Sequence, residues 1–348
     1  MTERTLNERE LNRALLARQL LLERSDMPIP RAIERLGGLQ TQYAPAGYIG
    51  LWSRLADLGR DDLTRLLERR RVVHATLMRA TIHMVSARDY RLFSEGVRQT
   101  RRAWWLSASR RTADVGKVEA AADRVRSFLA DGPRTRAEIL RTLDIDSALF
   151  GGAGMWVDLV RVPPSGTWER PRADLYALAS EWLGPSPKDA TPERGMEHLA
   201  RRYLGAFGPA SRADVANWAG VTATAMAPAL ERIRIRRFRD ERGKELVDLP
   251  GAPLPDPDTP APVRFLPVWD ATLLVHARRT QILAELHRPR VFDTKTPHSV
   301  NTFLVDGQVA GTWHQHGKRV VTEPFGKLPR DTRRELEQEA ERLEGFMA

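Results

Sequence analysis

A mainly helical α+β fold, made of three tandem three-helix-plus-hairpin units and a small C-terminal β-rich domain with a closing helix, follows from three observations. The first is an internal repeat. Gly132-Pro133-Arg134-Thr135-Arg136-Ala137-Glu138-Ile139 reads almost position for position as Gly208-Pro209-Ala210-Ser211-Arg212-Ala213-Asp214-Val215, 76 residues on. The second is the order of signals after each copy: helix, helix, then two alternating segments around a turn, which is the winged-helix succession. The third is a stretch rich in proline and aspartate, residues 251–262, that reads as a stiff linker before a strand-rich end.

Taken in order, residues 1–112 form the first unit. Helices are expected near 6–24, 28–38 and 61–71, followed by alternating Val73–Leu77 and Thr81–Val85. In the second unit, 113–190, an amphipathic helix ends at Phe128-Leu129, and Thr135 stands three residues before Glu138, the spacing of a capping box. Gly151-Gly152-Ala153-Gly154 lacks the lysine of a phosphate-binding loop and reads as a flexible turn. Strand-like Leu159–Val162, a Pro163-Pro164-Ser165-Gly166 turn and a return near Asp174–Ala179 complete the unit.

The third unit, 191–250, opens with a helix whose Met196, Leu199, Ala200, Tyr203, Leu204 and Phe207 share a face. Ser211 and Asp214 repeat the capping spacing, Gly220 ends that helix, and Thr222 caps another running to Arg232. Ile235–Arg239 and Glu245–Leu249 then flank an Asp240–Gly243 turn. In 263–348, Val263–Val268, Thr302–Val305 and Gln308–Trp313 read as strands, with Asp306-Gly307 as a tight hairpin turn and a helix from Pro329 to Phe346.

The chain has 348 residues, 42% apolar, and no apolar run near the roughly 20 residues of a membrane span. Its N-terminus is charged and lacks a signal peptide pattern, so a soluble, cytoplasmic chain is expected. Without cysteine there is no disulfide, thiol nucleophile or cysteine-ligated metal. No cofactor motif and no metal set are read; His314 and His316 share one side of a strand, with no carboxylate close in sequence. A net charge of +10, carried by arginine with only six lysines, points to phosphate. Arg136 and Arg212, near helix starts in the repeat, are the phosphate-contact candidates.

One short segment carries candidate chemistry: Gly37-Gly38-Leu39-Gln40-Thr41-Gln42. On extended chain, Gln40 and Gln42 project to one side, so two amides can converge. The alternative is that both merely satisfy backbone groups at a helix end.

Five segments in order give the chain a family likeness. Leu39-Gln40-Thr41-Gln42, Arg79-Ala80-Thr81-Ile82-His83-Met84-Val85, Val160-Arg161-Val162-Pro163-Pro164-Ser165-Gly166-Thr167-Trp168, Arg264-Phe265-Leu266-Pro267 and Phe303-Leu304-Val305-Asp306-Gly307 together resemble the AlkZ/YcaQ winged-helix DNA glycosylases. The resemblance implies tandem winged helices around a DNA-sized cleft and excision of alkylated purines, including interstrand crosslinks made by agents such as azinomycin. It implies Gln40 and Gln42 as the catalytic pair of the Gln-x-Gln branch, the one associated with self-resistance. Two departures stand out: Thr41 where an aliphatic residue is usual, and Trp269–Arg279, which bears on the lesion pocket.

An N7-alkylated purine is already cationic, so its glycosidic bond needs water placement more than a strong acid. Glutamine amides suit that task, accepting from a water and donating to a phosphate. The expected partner is double-stranded DNA with alkylated or crosslinked purines, bound by a monomer. Arg79, His83, Arg136, Arg212, Trp313, His314 and His316 are the DNA-contact candidates, and the Thr302–Trp313 hairpin the groove-inserting one. A winged-helix transcriptional regulator is the rival reading, and a nucleoid or repair-scaffold protein a third.

Overall fold

The computed structural model describes residues 4–109, 114–277, 279–293 and 299–348; Arg278 and the boundary between the first two expected units lie outside them. The first stretch runs β1 (Thr5–Leu6), α1 (Glu8–Arg18), α2 (Ile29–Arg35), β2 (Leu39–Gln40), α3 (Ala44–Trp52), α4 (Arg60–Glu68), β3 (Val72–Thr76), β4 (Ile82–Ser86) and the long α5 (Ala87–Ala108). Next come α6 (Val115–Ala130), β5 (Arg134–Thr135), α7 (Arg136–Leu143), α8 (Ser147–Trp156), β6 (Leu159–Arg161), β7 (Leu175–Leu178) and α9 (Ala179–Leu183). The third stretch is α10 (Pro192–Phe207), α11 (Arg212–Ala219), α12 (Ala223–Arg232), β8 (Arg236–Asp240) and β9 (Glu245–Asp248). The chain closes with β10 (Arg264–Leu266), α13 (Arg288–Val291), β11 (Thr302–Val305), β12 (Gln308–His316), β13 (Arg319–Pro324) and α14 (Arg330–Met347).

The repeat builds the same local structure twice because each copy supplies its own cap. The Thr135 hydroxyl accepts from Glu138 N at 3.2 Å, and the Glu138 carboxylate accepts from Thr135 N at 2.7 Å. Ser211 and Asp214 repeat the exchange at 3.2 and 3.3 Å, starting α11 as the first pair starts α7. Thr222 caps α12 as expected.

Sheet pairing crosses between the units. A six-stranded sheet runs β2-β4-β3-β6-β7-β5, joined where β3 meets β6 through His74 with Arg161 and Ala75 with Val160. β1 adds in parallel to β8, so the start of the chain completes the third hairpin. Each pairing covers a hairpin edge that would otherwise expose unpaired backbone groups. The fourth sheet strand at the C-terminus, β13, extends β10-β11-β12.

Gly151-Gly152-Ala153-Gly154 is not a turn; it lies inside α8. A Cβ on Gly152 would come within 2.6 Å of the Trp105 ring on α5, so glycine there permits two helices to touch across an indole. An aromatic cluster of Phe93, Tyr203, Phe207 and Trp218, with neighbouring centroids 5.4–6.2 Å apart, fills the space between α5, α10 and α11. The Gly37-Gly38 turn that launches β2 sits on this cluster. Among the described residues no helix is long and apolar enough to cross a membrane.

Candidate active site

β2 pairs antiparallel with β4, Leu39 opposite Met84 and Gln40 opposite His83, and Thr41 N continues the ladder to Ile82 O at 2.8 Å. The segment is therefore extended through Thr41, and burial alternates as period two requires. Leu39 and Thr41 are buried, Gln40 is half-buried and Gln42 is exposed. Gln40 lies on the opposite face from Leu39 and Thr41, beside the buried His83. Thr41 turns inward, with its hydroxyl 3.0 Å from His74 Nδ1.

Both amides are held by their oxygens. Gln40 Oε1 accepts from Arg79 Nη2 at 2.9 Å, and Gln42 Oε1 accepts from Ile82 N at 3.1 Å. A guanidinium and a backbone N–H can only donate, so each contact fixes which end of the amide is oxygen. Among the described residues neither amide nitrogen has a protein partner. The alternative role as a backbone satisfier thus holds for Gln42, on a strand rather than at a helix end, and fails for Gln40.

Arg79 comes from the connection between β3 and β4, where Arg79 and Ala80 both have positive φ, 52° and 56°. Its other arm, Nη1, donates to Trp218 O at 2.9 Å, at the C-terminal end of α11. Gly220, just beyond that helix, makes the approach possible. A Cβ there would lie 2.7 Å from Arg79 N. Arg79, a DNA-contact candidate in the sequence, is held by Gln40 and Trp218.

No titration is poised near neutrality in these groups. Burial, and then the charge of Arg79, hold His83 at about 3, and its Nδ1 lies 3.1 Å from Thr81 O. Burial, then Arg161, holds His74 at about 4. Burial also lowers Arg79 to about 10, leaving it cationic at pH 7. These two histidines predict acid sensitivity. Their folded pKa values lie below the ordinary 6.5, so their contribution is complete above pH 6.5 and is lost as pH falls toward 4. Urea unfolding at pH 7 and pH 5 should differ by roughly 2–4 kcal/mol. Equal stabilities at the two pH values would show that both histidines protonate freely in the folded protein.

Gln40 lines a narrow cleft with Ala46, Pro267, Trp269 and Asp270. This brings the divergent Trp269 segment beside the glutamine pair. Asp270 Oδ1 accepts from Arg54 Nη2 at 2.9 Å and from the Thr272 hydroxyl at 2.8 Å, so that oxygen is already engaged. On the far side of Arg79 a second pocket opens between α5 and α11, lined by Thr100, Arg101, Asn217 and the half-exposed Trp104. Tyr43, directly after Gln42, is likewise half-exposed and borders a third pocket with Pro45, Trp168 and Gln315.

A family model described as "DNA glycosylase AlkZ-like" matches residues 33–346. The chain belongs to the AlkZ-like DNA glycosylase family. The "Interstrand DNA cross-link repair glycosylase" of Streptomyces sahachiroi is 23% identical to it, over 93% of this chain and 92% of that protein. The solved structure of Streptomyces sahachiroi DNA glycosylase AlkZ superimposes with a TM-score of 0.83 at 18% identity, covering 99% of this chain and 97% of that one. That likeness establishes the α+β fold.

The glycosylase's remaining sequence candidates scatter, and three need correction. His83, 2% exposed and beside Gln40 on the same face of the sheet, is too buried to contact DNA. Trp313 is also buried: its Nε1 donates to Leu266 O at 3.0 Å and its ring packs edge-on against Phe265. The expected Thr302–Trp313 hairpin does not project either. Its Asp306-Gly307 turn is clasped by α1, where Arg9 Nη1 and Arg13 Nη2 meet the Asp306 carboxylate and Asn12 donates to Gly307 O at 2.8 Å.

The exposed hairpin is the next one, β12 to β13, carrying His314, His316, Lys318 and Arg319. His314 Nδ1 lies 3.7 Å from a Glu323 oxygen across the ladder, a carboxylate that sequence distance hid. Among the described residues no group of three or more potential ligands could hold a metal. Arg136 begins α7 with its guanidinium 6.0 Å from the Phe150 ring centre. Arg212 begins α11 and pairs with Glu245 at 3.3 Å.

Proposed function

We propose that this glycosylase hydrolyses the N-glycosidic bond of cationic N7-alkylated purines in duplex DNA, including bulky adducts and interstrand crosslinks of the kind azinomycin forms. The observation that carries this reading is the Gln40–Gln42 pair with both amide oxygens engaged by donors and no acid hydrogen-bonded to either. Neither amide is bonded to a group that could protonate a leaving base. Such a site serves a base that leaves without protonation.

The step balances on that basis. Water oxygen bonds to C1′, the C1′–N9 bond breaks, and its electron pair neutralises the cationic purine ring. The water proton passes to solvent, leaving an abasic sugar and a neutral alkylpurine. Gln40 Oε1, with one lone pair given to Arg79, keeps the other to orient the water. The two free NH₂ groups donate to phosphate oxygens flanking the lesion, and the Arg79 charge favours the same anion. The enzyme needs no lyase step, so it is monofunctional, and it needs no cofactor.

DNA binding is assigned to arginine and to the exposed hairpin. Arg136 and Arg212 at helix starts contact phosphates, Arg212 exchanging Glu245 for the anion. His314 and His316, on the exposed β12–β13 hairpin, take the groove-facing role that the buried Trp313 cannot. The crosslink assignment draws on the name of the Streptomyces sahachiroi relative. A cleft too narrow for a swung-out base suits it, because a tethered base cannot swing fully out of the duplex. Self-resistance in a cytoplasmic setting is the corresponding biological role.

The test is a strand-break assay. Duplex with a single N7-methylguanine or a defined interstrand crosslink is incubated with the protein and treated with alkali, beside a uracil-containing duplex. Breaks at the alkylated sites, and none at uracil, are expected. Intact alkylated strands with tight duplex binding would instead favour the regulator, and efficient uracil excision would refute the two-amide mechanism.

A further inference from the structure

We infer that Arg79 is a positioning residue for the glycosidic reaction: its guanidinium fork, anchored on Trp218 O, fixes the flip and place of the Gln40 amide. The inference rests on the catalytic reading of Gln40 above.

A free glutamine side chain exchanges oxygen and NH₂ by rotation about its last torsion, a soft and nearly two-fold one. A pair of amides that must hold one water needs that exchange stopped. For Gln42 the backbone does this, through Ile82 N. Among the described residues Gln40 accepts from no backbone donor and uses Arg79, whose Nη1 and Nη2 reach Trp218 O and Gln40 Oε1, each at 2.9 Å. The flipped amide would point NH₂ at a cation, so only one state survives. One anchor comes from α11 and the other from β2, so the fork also sets the separation of those elements.

The arrangement is costly in ways that a surface phosphate contact is not. Arg79 and Ala80 both sit at positive φ without being glycine. Gly220 is required beside them. Among the described residues Arg79 has no carboxylate partner, so a half-buried cation rests on two neutral carbonyl oxygens. A residue needed only to attract DNA would not have to be built in this way.

Lysine in place of Arg79 keeps the charge but offers donors from one atom, so it cannot span both oxygens. We expect Arg79→Lys to lower single-turnover rate on N7-methylguanine duplex about 100-fold, the scale of a 1 Å misplacement, with DNA Kd changed less than about threefold. In the Gln40→Ala background the same change should cost no more than about twofold, because there is no amide left to hold. Salt dependence of binding should keep its slope. A rate near wild type for Arg79→Lys, or penalties that multiply in the double variant, would overturn the inference.

Should Arg79→Lys melt early, Arg79→Gly provides a second route. Glycine accepts the φ of 52°, and the vacated side chain borders an open pocket through which methylguanidinium can enter. Millimolar methylguanidinium should raise the rate of Arg79→Gly without tightening DNA binding, and leave Gln40→Ala unchanged. Rescue of binding instead of rate would make Arg79 a phosphate contact. Loss of activity in Gln40→Ala tests the underlying reading separately: if that variant is fully active, the catalytic assignment itself fails.

Discussion

Gln40→Ala is expected to lower the single-turnover rate on N7-methylguanine duplex by about 10²–10³-fold, the scale set by removing one preorganised polar group from a transition-state site. DNA affinity should fall by no more than about threefold and its salt dependence should keep its slope, because one neutral donor to phosphate is lost and no charge is removed. The two readouts separate chemistry from grip. Gln40 is half-buried and its oxygen is pinned by Arg79 at 2.9 Å, so no water can take its place at the same point with the same orientation. Gln42→Ala should also slow the reaction, by about tenfold or more. Its loss is smaller because Gln42 is exposed and solvent can satisfy Ile82 N once the side chain is gone.

A carboxylate at position 40 makes the sharper control. Gln40→Glu would place an anion against Arg79 Nη2, removing the amide donors while strengthening that contact. The rate should fall with Gln40→Ala although the fold is, if anything, more stable. Retention of near-wild-type rate in both variants would show that the pair does not act on the bond. A loss of DNA affinity in Gln40→Ala as large as its loss of rate would show that the pair acts on the duplex instead.

The glutamine pair was legible because extended chain has one rule, period two, and Gln40, Thr41 and Gln42 follow it. What each amide binds was not. Arg79 lies 39 positions away, and only the pairing of β2 with β4 brings the two together. Local signals served the repeat well for a similar reason: the caps at Thr135 and Ser211 are satisfied within four residues, whatever the rest of the chain does.

The misses share the opposite character. Helix α3 is apolar all round, Ala-Pro-Ala-Gly-Tyr-Ile-Gly-Leu-Trp, and wholly buried, so it has no amphipathic period to read. The Gly-Gly-Ala-Gly segment looked like a turn because glycine weakens helices on average, but contact with Trp105 selects it there. Trp313 and His314 are adjacent on β12 and face opposite ways, and only the register with β13 and the core beneath decides which is exposed. The same holds for the hairpins. Asp306-Gly307 is the stronger turn signal, yet its very fit against α1 takes it out of reach of DNA.

Asp248→Ala should be among the most destabilising single changes, costing about 3–5 kcal/mol. Asp248 on β9 is completely buried and takes two guanidinium groups. Arg18 Nη1 and Nη2 reach its two oxygens at 2.6 and 2.9 Å, and Arg236 Nη2 reaches one of them at 2.8 Å. Arg18, at the end of α1, is itself fully buried. Without the carboxylate it would keep only the carbonyl oxygens of Leu204 and Pro253, a buried cation with no counter-charge. Arg18→Met should cost less, because Arg236 is partly exposed and still neutralises Asp248.

The pair also bears on the site at one remove. Gln19, the next residue, donates to Ala206 O at 3.0 Å beside the turn that launches β2. β2 nevertheless takes its register from β4, so the folded Asp248→Ala protein should keep its rate within about twofold at 25 °C while its urea midpoint falls in proportion to the lost stability, with an unchanged slope. A rate loss like that of Gln40→Ala would mean that the α1–β9 tie, and not β4 alone, sets the position of the glutamines. A cost below about 1 kcal/mol would mean that water or relaxation reaches Arg18 despite its burial.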